Sequence, residues 1–175
     1  MPHRIIFSLL VGILAAAQLH SAVFIKSDGV DGESTDADHR GWSEVDCWSW
    51  DSSLDTGEVG SGRTPGTLAI GPLRLTTAID RATPALLQLL HSGAAVSGDV
   101  VLEQVDDASR QLWLRIILQG VRLESMALES KAATATTDIT VRFDRIRMDY
   151  YWYSTTNESA GAESFTWDLA ATESF

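Results

Sequence analysis

A single stretch of the sequence, Thr83 to Gly93, has the pattern of an α-helix, and this limits the fold more than any other feature. Thr83 can cap the helix, Pro84 suits the first helical position, and Gly93 can end it. The leucines in between recur at positions i, i+3 and i+4, which places them on one helical face. We therefore expect one helix in a chain that is otherwise β-structure.

The remaining sequence is typical of short strands separated by turns rich in Gly, Asp and Ser. The apolar alternation changes parity at Gly71-Pro72 and again at Asp144-Arg145, so we expect a bulge or an equivalent break at both places. Residues 28–38 are too polar and too often interrupted by glycine for regular structure, and the glycine-rich residues 55–66 are expected to project as a flexible hairpin tip. The predicted strands are residues 22–26, 44–50, 67–77, 96–105, 111–118, 121–128, 138–153 and 165–169.

The strand at residues 111–118 is apolar on both faces. Leucine and isoleucine occupy every even position from Leu112 to Leu118, while Trp113 and Ile117 lie on the opposite face. Both faces of such a strand have to be covered by other residues, because soluble monomers rarely expose a large apolar patch. One face is expected to enter the core, and the other to meet the helix or another subunit.

The N-terminus has the pattern of a secretory signal peptide. Arg4 precedes the apolar run Ile5 to Ala17, and small residues stand at Ala15, Ala16, Ala17, Ser21 and Ala22. The run is shorter than the ~20 residues that span a bilayer, so we expect cleavage between Ala17 and Val23 and no stable membrane insertion afterwards. On this interpretation residues 1–21 are the signal, residues 22–175 form one domain, and the protein is secreted or periplasmic.

Charge narrows the range of partners. The chain carries 24 acidic residues against 13 lysines and arginines, and such a surplus of carboxylates repels a phosphate backbone or an anionic membrane. Nucleic acid is therefore not an expected partner.

Few residues offer chemistry. Cys47 is the only cysteine, which excludes an intrachain disulfide, and we expect it to be a small buried side chain on a strand. After signal removal only His39 and His91 remain, and no nucleophile motif accompanies them. The acidic loop at residues 28–38 lacks the spacing of an EF-hand, which favours a solvated turn over a Ca²⁺ site. No catalytic, cofactor or metal site is predicted, and the chain is not expected to be an enzyme.

Several short motifs, in this order, resemble the haemolysin-coregulated protein (Hcp) family, whose members build the inner tube of type VI secretion systems. The resemblance spans roughly residues 22–170, and the ordered set is more specific than any one piece. The motifs are Phe24-Ile25-Lys26, Gly32-Glu33-Ser34, His39, Glu44-Val45-Asp46-Cys47-Trp48-Ser49-Trp50, Asp80-Arg81-Ala82-Thr83-Pro84-Ala85-Leu86, Asp138-Ile139-Thr140-Val141-Arg142-Phe143 and Phe165-Thr166-Trp167.

The resemblance implies a mainly β fold, a small β-barrel with one helix packed on it, assembling as a ring. Six copies would form the ring, rings could stack, and the lumen could carry effectors. The signal-like N-terminus departs from family members that build the tube in the cytoplasm, so a second hypothesis stays open: an exported binding module of the same fold, outside any secretion tube. For the segment Tyr150 to Tyr153, a subunit interface and plain core both remain possible. The candidate subunit interface consists of Trp113, Arg115, Ile117, Tyr151 and Tyr153.

Overall fold

The computed structural model describes residues 21–55, 58–59, 62–63, 67–131 and 134–169. These ranges contain thirteen strands and one helix, so the mainly β fold with a single helix is confirmed. The helix α1 is Thr83–Ser92. The strands are β1 Ser21–Ser27, β2 Ser43–Ser49, β3 Ser52–Asp55, β4 Glu58–Val59, β5 Gly62–Arg63, β6 Thr67–Ile70, β7 Leu73–Ala78, β8 Val100–Asp106, β9 Leu112–Gln119, β10 Arg122–Lys131, β11 Thr134–Arg142, β12 Arg145–Tyr153 and β13 Ser159–Asp168.

Nine strands form one antiparallel sheet in the order β10-β11-β7-β2-β1-β8-β9-β12-β13. A short β1–β2 ladder joins its two halves. Among the described residues no ladder pairs the two end strands, β10 and β13, so the sheet is an open barrel rather than a closed one. The sheet nevertheless folds over one core, because side chains from both halves meet in a single cluster. Its most completely buried members are Leu73, Leu102, Ile116, Leu118 and Ile146.

The predicted break after Phe143 is confirmed. Strand β11 pairs with β7 and β10, whereas β12 pairs with β9 and β13, so the chain crosses here from one half of the sheet to the other. The backbone N–H of Asp144 donates to the carbonyl of Gln119 at 2.8 Å and anchors the crossing. Phe143 and Ile146 are both buried in the same core, as the parity argument requires.

The predicted break at Gly71-Pro72 is also confirmed, since β6 ends at Ile70 and β7 begins at Leu73. Strand β6 pairs with β3, and β4 pairs with β5, so the loop predicted to project does form a hairpin arm. Leu54 and Leu68 are cross-strand neighbours on this arm, and both are exposed. Part of the predicted loop, including residues 56–57 and 64–66, lies outside the described residues.

The helix forms where it was predicted, but one detail of its start was wrong. Ala82, not Thr83, occupies the N-cap position and offers no side-chain cap. Asp80 takes over this role, because its carboxylate accepts a hydrogen bond from the Ala82 backbone N–H at 2.9 Å. At the other end Gly93 adopts φ 65°, a left-handed conformation that glycine reaches at little cost. No helix in the described part of the chain is long and apolar enough to span a membrane.

The prediction that Cys47 is buried was wrong, because its side chain is exposed. Val45 pairs with Thr77 and Cys47 with Thr76, which leaves Asp46 as the extra residue of a β-bulge. The bulge resets the alternation, so that Trp48 and Trp50 pack against the core while Cys47 faces solvent.

Candidate assembly surface

The outer face of the sheet carries a row of polar side chains that lie opposite one another on successive strands. Glu103 of β8 is opposite Arg115 of β9, which is opposite Asp149 of β12, which is opposite Ser164 of β13. Phe24 of β1 is opposite Glu103 on the other side and completes what we call the outer row. Cross-strand neighbours are close enough for charges of opposite sign to pair.

Each charge in the outer row has a partner. The Arg115 Nε donates to Glu103 Oε1 at 2.6 Å, and Asp149 Oδ1 accepts from the Ser164 hydroxyl at 2.6 Å and from Arg147 Nε at 2.9 Å. Burial by itself would raise the pKa of Asp149, but the hydrogen bonds from Ser164 and Arg147 outweigh it and hold the pKa below its ordinary value. Burial also opposes the charge of Arg115, yet its bond to Glu103 raises the pKa of the guanidinium.

The loop between β1 and β2 folds over one end of the outer row. The His39 ring is 3% exposed and stacks on the Phe24 ring, with the centroids 4.2 Å apart and the planes within 5°. Trp42 meets the other side of His39 edge to face at 4.9 Å. The His39 Nε2 lies 2.8 Å from Glu103 Oε2, which ties the loop to β8. This loop, residues 28–42, is called the cover loop below.

The cover loop uses its acidic side chains to fasten itself. Asp31 pairs with the Lys26 ammonium at 2.5 Å, and the same Lys26 donates to the carbonyls of Val30 and Gly41 at 3.1 Å. Asp36 contacts both His39 and Arg110. Within the described residues, no three or more His, Cys, Asp and Glu side chains are grouped so as to hold a metal ion. The sequence pattern could not distinguish a loop held by its own ion pairs and hydrogen bonds from a solvated loop, since both are rich in polar residues.

The predicted interface residues do not all share one surface. Arg115 and Ile117 alternate on the outer face of β9, and Ile117 lies half-buried between Val101 and Arg147 on the neighbouring strands. Trp113 leaves that face because it is the extra residue of a bulge: Gln104 pairs with Leu114 and Val105 with Leu112. Its ring packs against the core instead.

The two predicted tyrosines lie on β12. Tyr151 is half-buried opposite Ala162, and the Tyr153 hydroxyl donates to the carbonyl of Leu112 at 2.7 Å. The latter contact fixes the end of β12 to β9.

Tyr150 and Trp152, which were not among the predicted interface residues, are more exposed than Tyr151 and Tyr153. Tyr150 and Trp152 are 49% and 37% exposed, with roughly parallel rings 6.4 Å apart, and Trp113 meets Tyr150 edge to face. We call these three residues the aromatic shelf. Gly161 of β13 makes room for it, because a Cβ there would come within 2.2 Å of the Trp152 ring. Tyr150 and Trp152 are therefore partly exposed, whereas Trp113 packs against the core.

The interior offers little room for a substrate. A cavity of about 50 Å³ lies between α1 and the sheet, lined mainly by aliphatic side chains such as Leu86, Val100 and Ile139. Such a volume holds only about one or two waters. The surface features of the chain are therefore the better candidates for its function.

Comparison with known proteins supports the resemblance seen in the sequence. The model of a family described as "Type VI secretion system effector, Hcp" matches residues 24–150. No curated protein sequence gave a significant match.

Solved structures show the same fold over nearly their full length. A structure described as that of a type six secretion system protein has a TM-score of 0.80 at 21% identity, covering 87% of this chain and 98% of that chain. Hcp1 from Salmonella typhimurium has a TM-score of 0.71 at 22% identity, covering 86% and 96%. A type VI secretion system effector from Yersinia pestis has a TM-score of 0.68 at 23% identity, covering 83% and 98%.

At 21–23% identity the structural matches show the fold alone. The family model, in contrast, matches the amino-acid sequence itself. That model extends from β1 into β12 and so includes the strands that build the core, the helix and most of the outer row. The chain belongs to the Hcp family of type VI secretion proteins.

Proposed function

We propose that this chain is a structural tube component that assembles with copies of itself into a ring of six. Membership of the Hcp family carries the proposal. The open sheet supports it, because no ladder among the described residues joins β10 to β13, and natural proteins seldom leave long strand edges uncovered. A head-to-tail contact that repeats around a closed ring covers two different surfaces on every copy.

The contact surface that we propose combines the predicted residues with the aromatic shelf. Arg115, Ile117 and Tyr151 supply the outer part, and Trp113 and Tyr153 lie at the end of β9 and β12 beside the exposed Tyr150 and Trp152. Aromatic side chains and arginine are enriched in protein interfaces. Stacked rings would make a tube whose lumen carries effectors, and no enzymatic step is part of this role.

The test is light scattering on the purified chain at micromolar concentration, at low and at high salt. We expect a hexamer in both, because salt barely weakens an apolar contact and screens the repulsion between acidic subunits. Ile117→Glu should give monomers, since it places a carboxylate in the contact surface. Gln88→Glu, on the exposed side of α1, is the matched control and should leave the hexamer intact. A monomer at both salt concentrations in the unchanged chain would refute the ring.

A second candidate function is favoured by the signal-like N-terminus, Arg4 followed by Ile5 to Ala17. In this alternative the chain is exported through the general secretory route and acts outside the cytoplasm as a binding module of the same fold, not as part of a tube. We expect N-terminal sequencing of secreted or periplasmic material to begin between Ala17 and Val23. An intact Met1 in a soluble cytoplasmic pool would contradict export, and a secreted monomer would favour the binding module over the ring.

A further inference from the structure

The aromatic shelf lines a surface depression of about 490 Å³ where β9 begins and β12 ends. Binding sites for small molecules commonly have this size and combine aromatic side chains with a few polar groups. The polar groups here come from two turns. Ser109 and Gln111 belong to the β8–β9 turn, and Asn157 belongs to the β12–β13 turn. The depression therefore differs from a purely apolar patch.

The rings of the shelf face the depression from two directions. Tyr150 and Trp152 lie on the same face of β12 with their ring planes within 26° of each other, and the Trp152 ring lies over Gly161 of β13. Trp113 stands almost at right angles to Tyr150, with an angle of 78° between the two rings. Two nearly parallel rings beside an upright third ring offer apolar contact to a flat ligand that stacks on them.

Several polar groups at the depression have no hydrogen bond to any described residue. They are the hydroxyls of Tyr150 and Tyr151, the indole N–H of Trp152 and the side-chain amide of Asn157. The turns that carry the rim are nevertheless tied together, because Gln111 Nε2 donates to the Asn157 backbone carbonyl at 3.0 Å. Both donors and acceptors are available, so a ligand rich in hydroxyl groups can satisfy them.

Acidic side chains beside the depression limit the charge of its ligand. Glu163 lies opposite Tyr150 on β13, and Asp106 lines the rim. The Asp106 carboxylate accepts the backbone N–H of Ser109 at 2.7 Å and the Ser109 hydroxyl at 2.8 Å. These bonds from Ser109 hold the pKa of Asp106 below its ordinary value, so the side chain stays ionised. Carboxylates in these places repel an anionic ligand.

We propose that the aromatic shelf binds a neutral oligosaccharide whose pyranose rings stack on Tyr150 and Trp152. A pyranose with equatorial hydroxyl groups has flat faces made of C–H groups and an edge of hydroxyls that donate and accept. The faces match the aromatic rings, and the edge matches Asn157 and the tyrosine hydroxyls. An apolar protein surface in the same place would bury those polar groups without partners, which costs free energy.

This inference rests on the second candidate function, in which the chain is an exported binding module. The ring would bring a neighbouring subunit onto the same shelf, so a bound oligosaccharide and that subunit exclude each other. Binding is therefore measured on the unchanged chain and on Ile117→Glu, which is expected to be monomeric and changes a position outside the depression. Light scattering reports assembly and calorimetry reports sugar binding, so the two hypotheses fail in different measurements.

Isothermal titration calorimetry with cellohexaose and chitohexaose, two neutral β-linked oligosaccharides, tests the site. We expect saturable binding of at least one of them to Ile117→Glu, with the same affinity at low and at high salt because the ligand carries no charge. Polygalacturonate, an anionic glycan, and choline, a small cation, are the counter-probes and should not saturate the site.

Variants in the Ile117→Glu chain separate stacking from hydrogen bonding. Trp152→Ala and Tyr150→Ala should each weaken binding at least about five-fold, whereas Trp152→Phe keeps a ring and should bind better than Trp152→Ala. Asn157→Gly removes the amide but tolerates the φ of 62° at this position, so it should weaken binding without changing the urea midpoint. Leu54→Ala, at an exposed position of the hairpin arm, is the control and should bind like its parent.

Three results would overturn the proposal. The first is that neither oligosaccharide binds Ile117→Glu at millimolar concentration. The second is binding that survives both Trp152→Ala and Tyr150→Ala, which would place the sugar elsewhere on the chain. The third is saturation by choline or polygalacturonate in place of the neutral sugars, which would assign the shelf to a charged ligand.

Discussion

Two neighbouring rows of residues both cross β8, β9, β12 and β13, and they are stabilised in opposite ways. The inner row, Leu102, Ile116, Met148 and Phe165, lies one residue along from the outer row; its first three members lie in or against the core, whereas Phe165 at its end is exposed. Its centre is fully buried and apolar, while the outer row is a chain of paired charges under partial cover. The inner row is stabilised by close apolar packing and the outer row by ion pairs and hydrogen bonds. The same kind of substitution should therefore lower the free energy of unfolding by different amounts in the two rows.

The largest effect is expected in the inner row. Ile116 is 0% exposed, so Ile116→Ala should lower the free energy of unfolding by about 4 kcal/mol through lost burial and a cavity that neighbours fill only in part. Urea unfolding of both proteins measures the difference. Ile117→Ala, next to it on the outer face, should cost less than half as much while weakening ring assembly. Equal losses at the two positions would show that the two faces of β9 are not distinct.

Charge removal from the outer row should come next. Arg115→Met keeps much of the side-chain length but removes the arginine partner of Glu103 and one cation near Asp149, so we expect a loss of about 2 kcal/mol. The control is Arg74→Met, which breaks the exposed Arg74–Asp51 pair and should cost less than about 0.5 kcal/mol. Similar losses of unfolding free energy in Arg115→Met and Arg74→Met would mean that partial burial does not strengthen the ion pairs of the outer row.

Acid should loosen the cover loop, which lies over the outer row, more than the inner row. The pKa of Asp36 is about 2 in the folded chain and about 4 when unfolded, so its stabilisation is complete above pH 4 and is lost as pH falls from 4 to 2. Asp36→Asn should therefore flatten the pH dependence of the urea midpoint in that window. Asp38→Asn, whose contact to Arg110 is longer at 3.5 Å, should change the slope little. An unchanged slope in Asp36→Asn would contradict the assignment.

The smallest effect is expected where the inner face reaches solvent. Gly161→Ala pushes on the Trp152 ring, which can swing outward because it is already partly exposed, so the loss should be about 1 kcal/mol or less. Tryptophan fluorescence should shift even though the fold survives. Thr166→Ala, an exposed position on the same strand opposite Arg147, should leave the spectrum unchanged, and a shift there would point to a general disturbance of β13.

The sequence predicted the inner row better than the outer row because the two depend on different kinds of information. Alternation within one strand was enough to place Leu114, Ile116 and Leu118 in the core and to locate the crossing after Phe143. The pairing of Arg115 with Glu103 depends on register between strands, which no local pattern contains.

Bulges account for other differences between prediction and structure. One extra residue at Asp46 turned Cys47 outward, and another at Trp113 removed that ring from the predicted surface. Cys47 and Trp48 are adjacent apolar residues, and residues 112–118 are apolar on both faces, so the alternation does not locate either bulge and their positions become visible only from the partner strand. The helix was easier to predict, because Pro84 and Gly93 mark its two ends through local backbone geometry.

The position of β1 in the sheet also bears on when the chain can fold during synthesis. All seven residues of β1 pair with β8, whose residues Val100–Asp106 leave the ribosome much later, while only Phe24 and Ile25 pair with the nearer β2. Pairings distant along the chain form slowly, because a long loop has to close first. Strand β1 therefore lacks its main partner until β8 has been synthesised, and the helix and β2 to β7 leave the ribosome before that ladder can form.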